Sequence, residues 1–273
     1  MKKRLQDLLV VSDLDGTLLT APAGLPPCNE TVIRLFTMLG GRFTIASGRS
    51  PISVKNALGD LPLSAPAIVF NGGMLYDYKK GEAISEHFLP RQTALSAIHL
   101  LREQDPTIGV EILASNGRMY QPFCGDQVSL HTLHEGLPYV VAPLEDIPGE
   151  WYKILFGGSP EAIARLEKYA TAQQWEGGYF VTTSPVYLEL MPSGVNKGAA
   201  LKELCDQLSV ERENLYVIGD YYNDLAMMKV AGHPIAVENA VPQVKLACEK
   251  TVLPCMDGGV AQLLYELIRC YGE

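Results

Sequence analysis

Residues 8–18 read Leu-Leu-Val-Val-Ser-Asp-Leu-Asp-Gly-Thr-Leu, and no other stretch constrains the fold as strongly. Its apolar run includes the β-branched Val10 and Val11 and predicts a strand buried on both faces. Such strands belong to parallel sheets layered with helices, and this one terminates in carboxylates, Asp13 and Asp15. Ligands in open α/β sheets bind at the carboxyl ends of strands. Gly16 permits a sharp turn there, and the Thr17 hydroxyl can brace it. Two neighbouring carboxylates repel if both are charged and dry, so one shifts its pKa or a cation sits between them. Asp13 then suits a nucleophile and Asp15 a general acid/base, and the pair suits a share in holding magnesium. Taken alone, the same residues are equally an ordinary Asp-Gly turn.

The chain beyond repeats the pattern. After a loop over residues 20–27, Asn29 is an expected N-cap for a helix carrying Val32, Leu35, Phe36 and Leu39, stopped by Gly40-Gly41. A strand over 43–46 ends on Ser47-Gly48-Arg49, with Ser50-Pro51 opening the next helix. That turn gathers a hydroxyl, backbone N–H groups and a guanidinium, which suit a phosphate as well as they suit a simple cap. A third strand, 67–70, ends on Asn71-Gly72-Gly73. Strands alternating with helices predict a parallel sheet with right-handed crossovers.

The rhythm then changes. Residues 75–84 suggest a hairpin, and Asn116-Gly117 between two apolar runs is a strong hairpin signal. Helices near Pro90 and Ser159 alternate with strands over 151–156, 179–183 and 186–191. This reads as an α+β domain, residues 84–190, inserted into a discontinuous core, residues 1–83 and 191–273. The core resumes with Lys197 at the start of a helix, where a cation runs against the helix dipole and hints at an anion. A strand over 215–219 ends on Asp220, and Asp224, four residues on, suits an N-cap of the following helix. Asp257 is an expected cap for the last helix, whose Val260, Leu263, Leu264, Leu267 and Ile268 form a core stripe. His131 and His134 stand three apart beside Glu135, too few for a full zinc set.

Composition narrows the function. A net charge of −9 argues against broad nucleic-acid binding and against anionic membrane surfaces. It leaves room for a small anionic substrate, because a metal and a few cations can reverse the sign inside one pocket. No export signal or membrane-spanning run is visible, and the six cysteines form no Cys-x-x-Cys pair, so a cytoplasmic protein with reduced thiols is expected. The strand order adds geometry. After the insertion, further strands must lie on the other side of the first, which sets Asp13 and Asp220 across a topological switch point. Acids with hard oxygens, an expected magnesium, a hydroxyl and a lysine suit phosphoryl transfer.

Asp13-Leu14-Asp15-Gly16-Thr17, Ser47-Gly48-Arg49, Lys197 and Gly219-Asp220-Tyr221-Tyr222-Asn223-Asp224 resemble, in order and spacing, the four motifs of the haloacid dehalogenase-like superfamily. The insertion resembles the type-IIB cap of its Cof-type phosphatases. Asn71-Gly72, Glu238-Asn239-Ala240 and Asp257-Gly258-Gly259-Val260-Ala261 also match that group. The resemblance implies an α/β fold with a Rossmann-like parallel core and an inserted α+β cap domain that sets substrate specificity. It implies that Asp13 attacks phosphorus and that Asp15 protonates the leaving oxygen and then deprotonates water. Magnesium would be held by the Asp13 carboxylate, the Asp15 backbone carbonyl and Asp220, with Asp224 as a further ligand or the orienter of a water. Ser47, Gly48 and Lys197 would hold the phosphoryl oxygens with help from Asn223, while Arg49 matches the pattern without an assigned role. The implied substrate is a small phosphorylated metabolite, sugar phosphates first among them, for a monomer or homodimer. A phosphosugar mutase, and a non-catalytic phospho-acceptor regulator, are the alternatives on the same chemistry; Asp15 and the large insertion argue against the second.

Overall fold

The computed structural model describes residues 4–272, except the side chains of His134 and Glu135, so the paired-histidine reading lies partly outside the described residues. The chain forms two compact units: one runs to Ser85 and resumes at Asn196, and the other is Glu86–Val195.

In chain order the first unit begins with β1 (Leu9–Asp13), α1 (Pro27–Met38), β2 (Arg42–Ala46), α2 (Pro51–Leu58), β3 (Ala67–Val69), β4 (Met74–Asp77) and β5 (Glu82–Glu86). The second holds α3 (Arg91–Gln104), β6 (Gly109–Ala114), β7 (Met119–Phe123), α4 (Asp126–Glu135), β8 (Tyr139–Val140), β9 (Trp151–Gly157), α5 (Pro160–Thr171), β10 (Gly178–Ser184) and β11 (Tyr187–Pro192). The first unit closes with α6 (Lys197–Leu208), β12 (Leu215–Gly219), α7 (Leu225–Val230), β13 (His233–Val237), α8 (Pro242–Leu246), β14 (Lys250–Val252) and α9 (Gly259–Tyr271).

The eight-stranded sheet of the first unit runs β14-β13-β12-β1-β2-β3-β4-β5. It is parallel from β14 to β3, and β4 turns back antiparallel on β3. Every residue of β1 is buried, which is why its sequence is an apolar run rather than an alternation. β12 lies beside β1, with Leu9 opposite Leu215 and Ser12 opposite Ile218. Both strands therefore end at the same rim, where the chain order reverses, and their terminal acids meet there.

Two helix starts differ from the sequence reading. α1 begins at Pro27, a residue pre-set for the first helical turn. Asn29 is thus inside the helix and fully buried, and its amide donates to the Leu18 carbonyl and accepts the Ala261 N–H at 2.9 Å. It therefore caps α9 from a distance, the task expected of Asp257, which instead ends a short 3-10 turn before Gly258. Asp224 likewise makes no side-chain cap to α7.

In the second unit the six-stranded sheet runs β10-β11-β9-β6-β7-β8. One face is apolar: Val110, Ile112, Ile154, Phe156, Leu188 and Leu190 pack with residues of α3 and α5. The Asn116-Gly117 hairpin forms, with Gly117 at φ 75° and the Asn116 side-chain oxygen Oδ1 accepting the Arg118 N–H. α4 crosses the other face at two glycines. A Cβ on Gly109 would stand 2.8 Å from Val128, and one on Gly157 3.0 Å from Gln127. The same face buries charge: Lys153 bonds Glu189 at 3.0 Å and His131 meets Glu111 at 2.8 Å. Among the described residues no helix is long and apolar enough to cross a membrane, and the six cysteines are free thiols.

Candidate active site

The rim above β1 and β12 carries a compact charged cluster. Lys197, 1% exposed, stands at the first turn of α6, and its Nζ donates to Asp13 Oδ1 at 2.5 Å and Asp224 Oδ1 at 2.7 Å. Asp224 Oδ2 accepts the backbone N–H groups of Asp220 and Tyr221 at 2.9 and 3.0 Å. Both Asp224 oxygens are thus committed, so its carboxylate fixes the loop and the lysine. A Cβ on Gly219 would stand 2.5 Å from Asp224 Oδ2, and only glycine lets the carboxylate fold back this far. Thr17 donates its hydroxyl to Asp220 Oδ1 at 2.8 Å. Carboxylate oxygens of Asp13, Asp220 and Asp224 all lie within 4.8 Å of one another.

Three acids against one ammonium leave excess negative charge in a dry place. Burial raises the Asp13 pKa well above the usual carboxylate range, the Asp224 charge adds to this, and Lys197 opposes it. Burial also raises Asp220, against the stabilising Thr17 hydrogen bond. For Lys197, burial alone would lower the ammonium pKa, but Asp13 and Asp224 outweigh it and hold the lysine charged. Clustered hard oxygens with unmet negative charge fit a small divalent cation such as magnesium.

Asp15 is turned differently. Its carboxylate is gripped by the Arg49 fork, Nε to Oδ2 at 2.8 Å and Nη2 to Oδ1 at 2.7 Å, and Arg49 is itself braced on Ser53. Planar two-point pairing of this kind fixes orientation. Arg49 thus has a visible task that its place in the sequence did not disclose. Ser47 is buried and its hydroxyl accepts the Arg49 N–H at 3.1 Å. Gly48 packs against Asn71, whose side-chain oxygen accepts from Asn223 Nδ2 at 3.1 Å. Asn239, a further buttress, donates to the Gly16 carbonyl at 2.7 Å and accepts the Cys255 N–H at 2.8 Å. Asp13, Lys197, Asp220 and Asp224 therefore form one group, and Ser47, Gly48 and Asn223 meet around Asn71. His131 is spent on Glu111, and among the described residues the metal-competent acidic cluster is the one at Asp13.

Gly16 sits at φ 85°, where a Cβ would stand 2.6 Å from Asp220 Oδ2. Gly16→Ala is expected to lower stability by about 1–3 kcal/mol and to displace Asp220. Thermal melts and a calorimetric magnesium titration check it; unchanged values in both would contradict the close approach.

A family model for haloacid dehalogenase-like hydrolases matches residues 10–264. The chain belongs to this family. It is similar to the 5-amino-6-(5-phospho-D-ribitylamino)uracil phosphatase of Bacillus subtilis, 27% identical over 289 residues, covering 95% of this chain and 97% of the relative. It is also similar to the HMP-PP phosphatase of Serratia proteamaculans, 26% identical over 265 residues, 96% of this chain and 95% of the relative. A crystal structure from Thermotoga maritima superposes with a TM-score of 0.82 at 26% identity, over 95% of this chain and 97% of that one. A haloacid dehalogenase-like hydrolase from Bacteroides thetaiotaomicron reaches a TM-score of 0.84 at 24% identity, over 95% and 99%, and bears on the fold alone. This haloacid dehalogenase-like hydrolase is a phosphatase, and its named relatives act on small phosphorylated metabolites.

Proposed function

We propose that this protein is a magnesium-dependent phosphatase for small phosphorylated metabolites, sugar phosphates first among them, working through an aspartyl-phosphate on Asp13. The observation that carries the reading is the buried Lys197 ammonium shared by Asp13 and Asp224 beside Asp220. A carboxylate so placed is oriented by the lysine and crowded by like charge. Asp13, Asp220 and the Asp15 backbone carbonyl would hold magnesium, which when bound supplies the positive charge that neutralises a phosphoryl oxygen and the acids. Asp13 attacks phosphorus, and the ester oxygen leaves with a proton from Asp15. Asp15 then takes a proton from water as that water attacks the acyl phosphate, which restores Asp13. Lys197, the Ser47 hydroxyl and the Gly48 N–H would bind the phosphoryl oxygens, with Asn223 assisting. Asp15 has to carry a proton when substrate binds, so the Arg49 fork releases at least one of its oxygens at that point.

We read residues 86–195 as the cap that selects the substrate. The phosphoribityl substrate in the name of the B. subtilis relative supports a polyol or sugar phosphate as the class it selects.

Free-phosphate release from a panel of sugar, nucleotide and vitamin phosphates, with magnesium and with EDTA, tests the function. Metal-dependent release strongest with sugar phosphates is expected. An isomerised phosphosugar without free phosphate would make the protein a mutase, and a phosphorylated protein that never turns over would make it a phospho-acceptor; either overturns the reading. Magnesium should also stabilise the fold, by about 2.7 kcal/mol at a concentration about 100-fold above its Kd. A melt with and without EDTA measures this, and identical curves would count against the metal site.

A further inference from the structure

The turn after β3 is built against ordinary backbone preference. Phe70, Asn71 and Gly72 all have positive φ, at 53°, 54° and 102°. Asparagine tolerates this region, but a bulky aromatic does so rarely, and such strain persists only where surrounding contacts over-determine it. Those contacts lead to each segment assigned to the phosphoryl group. The Phe70 N–H donates to the Arg49 carbonyl at 3.0 Å and the Asn71 N–H to the Ser47 carbonyl at 2.9 Å, fixing the Ser47–Arg49 loop from below. The Asn71 amide lies 3.0 Å from where a Gly48 Cβ would be, so any side chain there would press on it. Its oxygen takes the Asn223 amide, 152 residues away in sequence, on the loop that also carries Asp220 and Asp224. Gly72 completes the junction: a Cβ there would stand 2.4 Å from the Asn196 carbonyl, at the start of the helix that bears Lys197.

We infer that Asn71 is a positioning residue for phosphoryl transfer. It holds Asn223 and the Ser47–Gly48 turn in register across the strand ends, and it acts through them. The inference rests on the phosphatase reading above, and its consequence is a coupling between two loops. Without the Asn71 amide, Asn223 loses its anchor and Gly48 its backing. The Asp13, Asp220 and Lys197 cluster keeps its own bonds. Loss of Asn71 should therefore weaken phosphate handling and leave metal binding intact.

The test uses Asn71→Gly, which keeps the positive φ available, together with Asn223→Ala and the double variant. With p-nitrophenyl phosphate, kcat/KM is expected to fall about 10²-fold in Asn71→Gly. The magnesium half-saturation should stay at the wild-type value. The double variant should be no worse than about twofold below Asn71→Gly, because both changes break one contact. Calorimetry with inorganic phosphate and magnesium should show weaker phosphate binding in either single variant. Wild-type kcat/KM in Asn71→Gly, or losses that multiply independently in the double variant, would overturn the inference. A purely structural role would lower the melting temperature with kcat/KM unchanged, and that result overturns it too. If the wild type releases no phosphate from the aryl ester while calorimetry reads phosphate binding, the phosphatase reading is what fails. The Asn71 inference is then decided by the binding data alone, and equal affinities for wild type and Asn71→Gly would end it.

Discussion

Asp13→Asn is expected to abolish phosphate release, by at least about 10³-fold in kcat, while the protein stays folded. The amide keeps the shape of the carboxylate but offers no nucleophilic oxygen of comparable strength, so no acyl phosphate forms. The electrostatics predict the opposite sign for stability. Asp13 is buried and pressed by Asp224, and its carboxylate pKa is raised, which means that holding the charged form costs the fold energy. In EDTA the variant should melt no lower than the wild type. Phosphate release together with thermal melts in EDTA checks both halves. Residual turnover above the stated limit would remove Asp13 from the role of nucleophile. A large loss of stability would show that the Lys197 bond outweighs the repulsion.

Lys197→Met should damage both activity and stability. The side chain is 1% exposed and bonds two carboxylates that are themselves nearly inaccessible. Methionine, one atom shorter, keeps the apolar stem and removes the charge, so the acids are left with no internal cation. Breaking a buried ion pair by removing one partner costs about 3–5 kcal/mol. Turnover should also fall by at least about 10²-fold, because no ammonium faces the phosphoryl oxygens. Magnesium should recover part of the stability and little of the activity, since it answers the crowding of acids but cannot replace a donor fixed at the start of α6. Denaturant unfolding with and without magnesium, beside kinetics, separates these effects. A Lys197→Met protein as stable as wild type in EDTA would contradict the charge balance described for the site.

Much of this was legible in the sequence because chemistry and fold coincide at the strand ends. The run at 8–11 is apolar since β1 is buried on both faces, and it stops where the acids must reach the rim. The neighbour relation of β1 and β12 followed from the order of the strands, and it is what brings Asp220 toward Asp13. What stayed hidden depends on contacts between distant residues. Asn29 looked like a local cap and instead serves α9, because Pro27 starts α1 earlier and carries the asparagine inward. The fork from Arg49 to Asp15 joins residues 34 apart that no local pattern links. α4 escaped notice because it reaches its sheet through glycines and Val128 while Leu130 and Leu133 point to solvent, which inverts the apolar pattern that marks most helices. The Asn71 turn showed itself in sequence as a polar strand end, but its positive φ values and its bond to Asn223 are properties of the fold.

The central claim is that Asp13 carries the phosphoryl group between substrate and water. Its most direct test is a rapid acid quench of the wild-type enzyme turning over a substrate labelled in its phosphoryl group, with magnesium present, followed by peptide mapping. Transient label is expected on the peptide that contains Asp13, absent in EDTA and in Asp13→Asn, and decaying at the rate of phosphate release. Steady phosphate release with no label on the protein at any time would contradict it, and so would label on a residue other than Asp13.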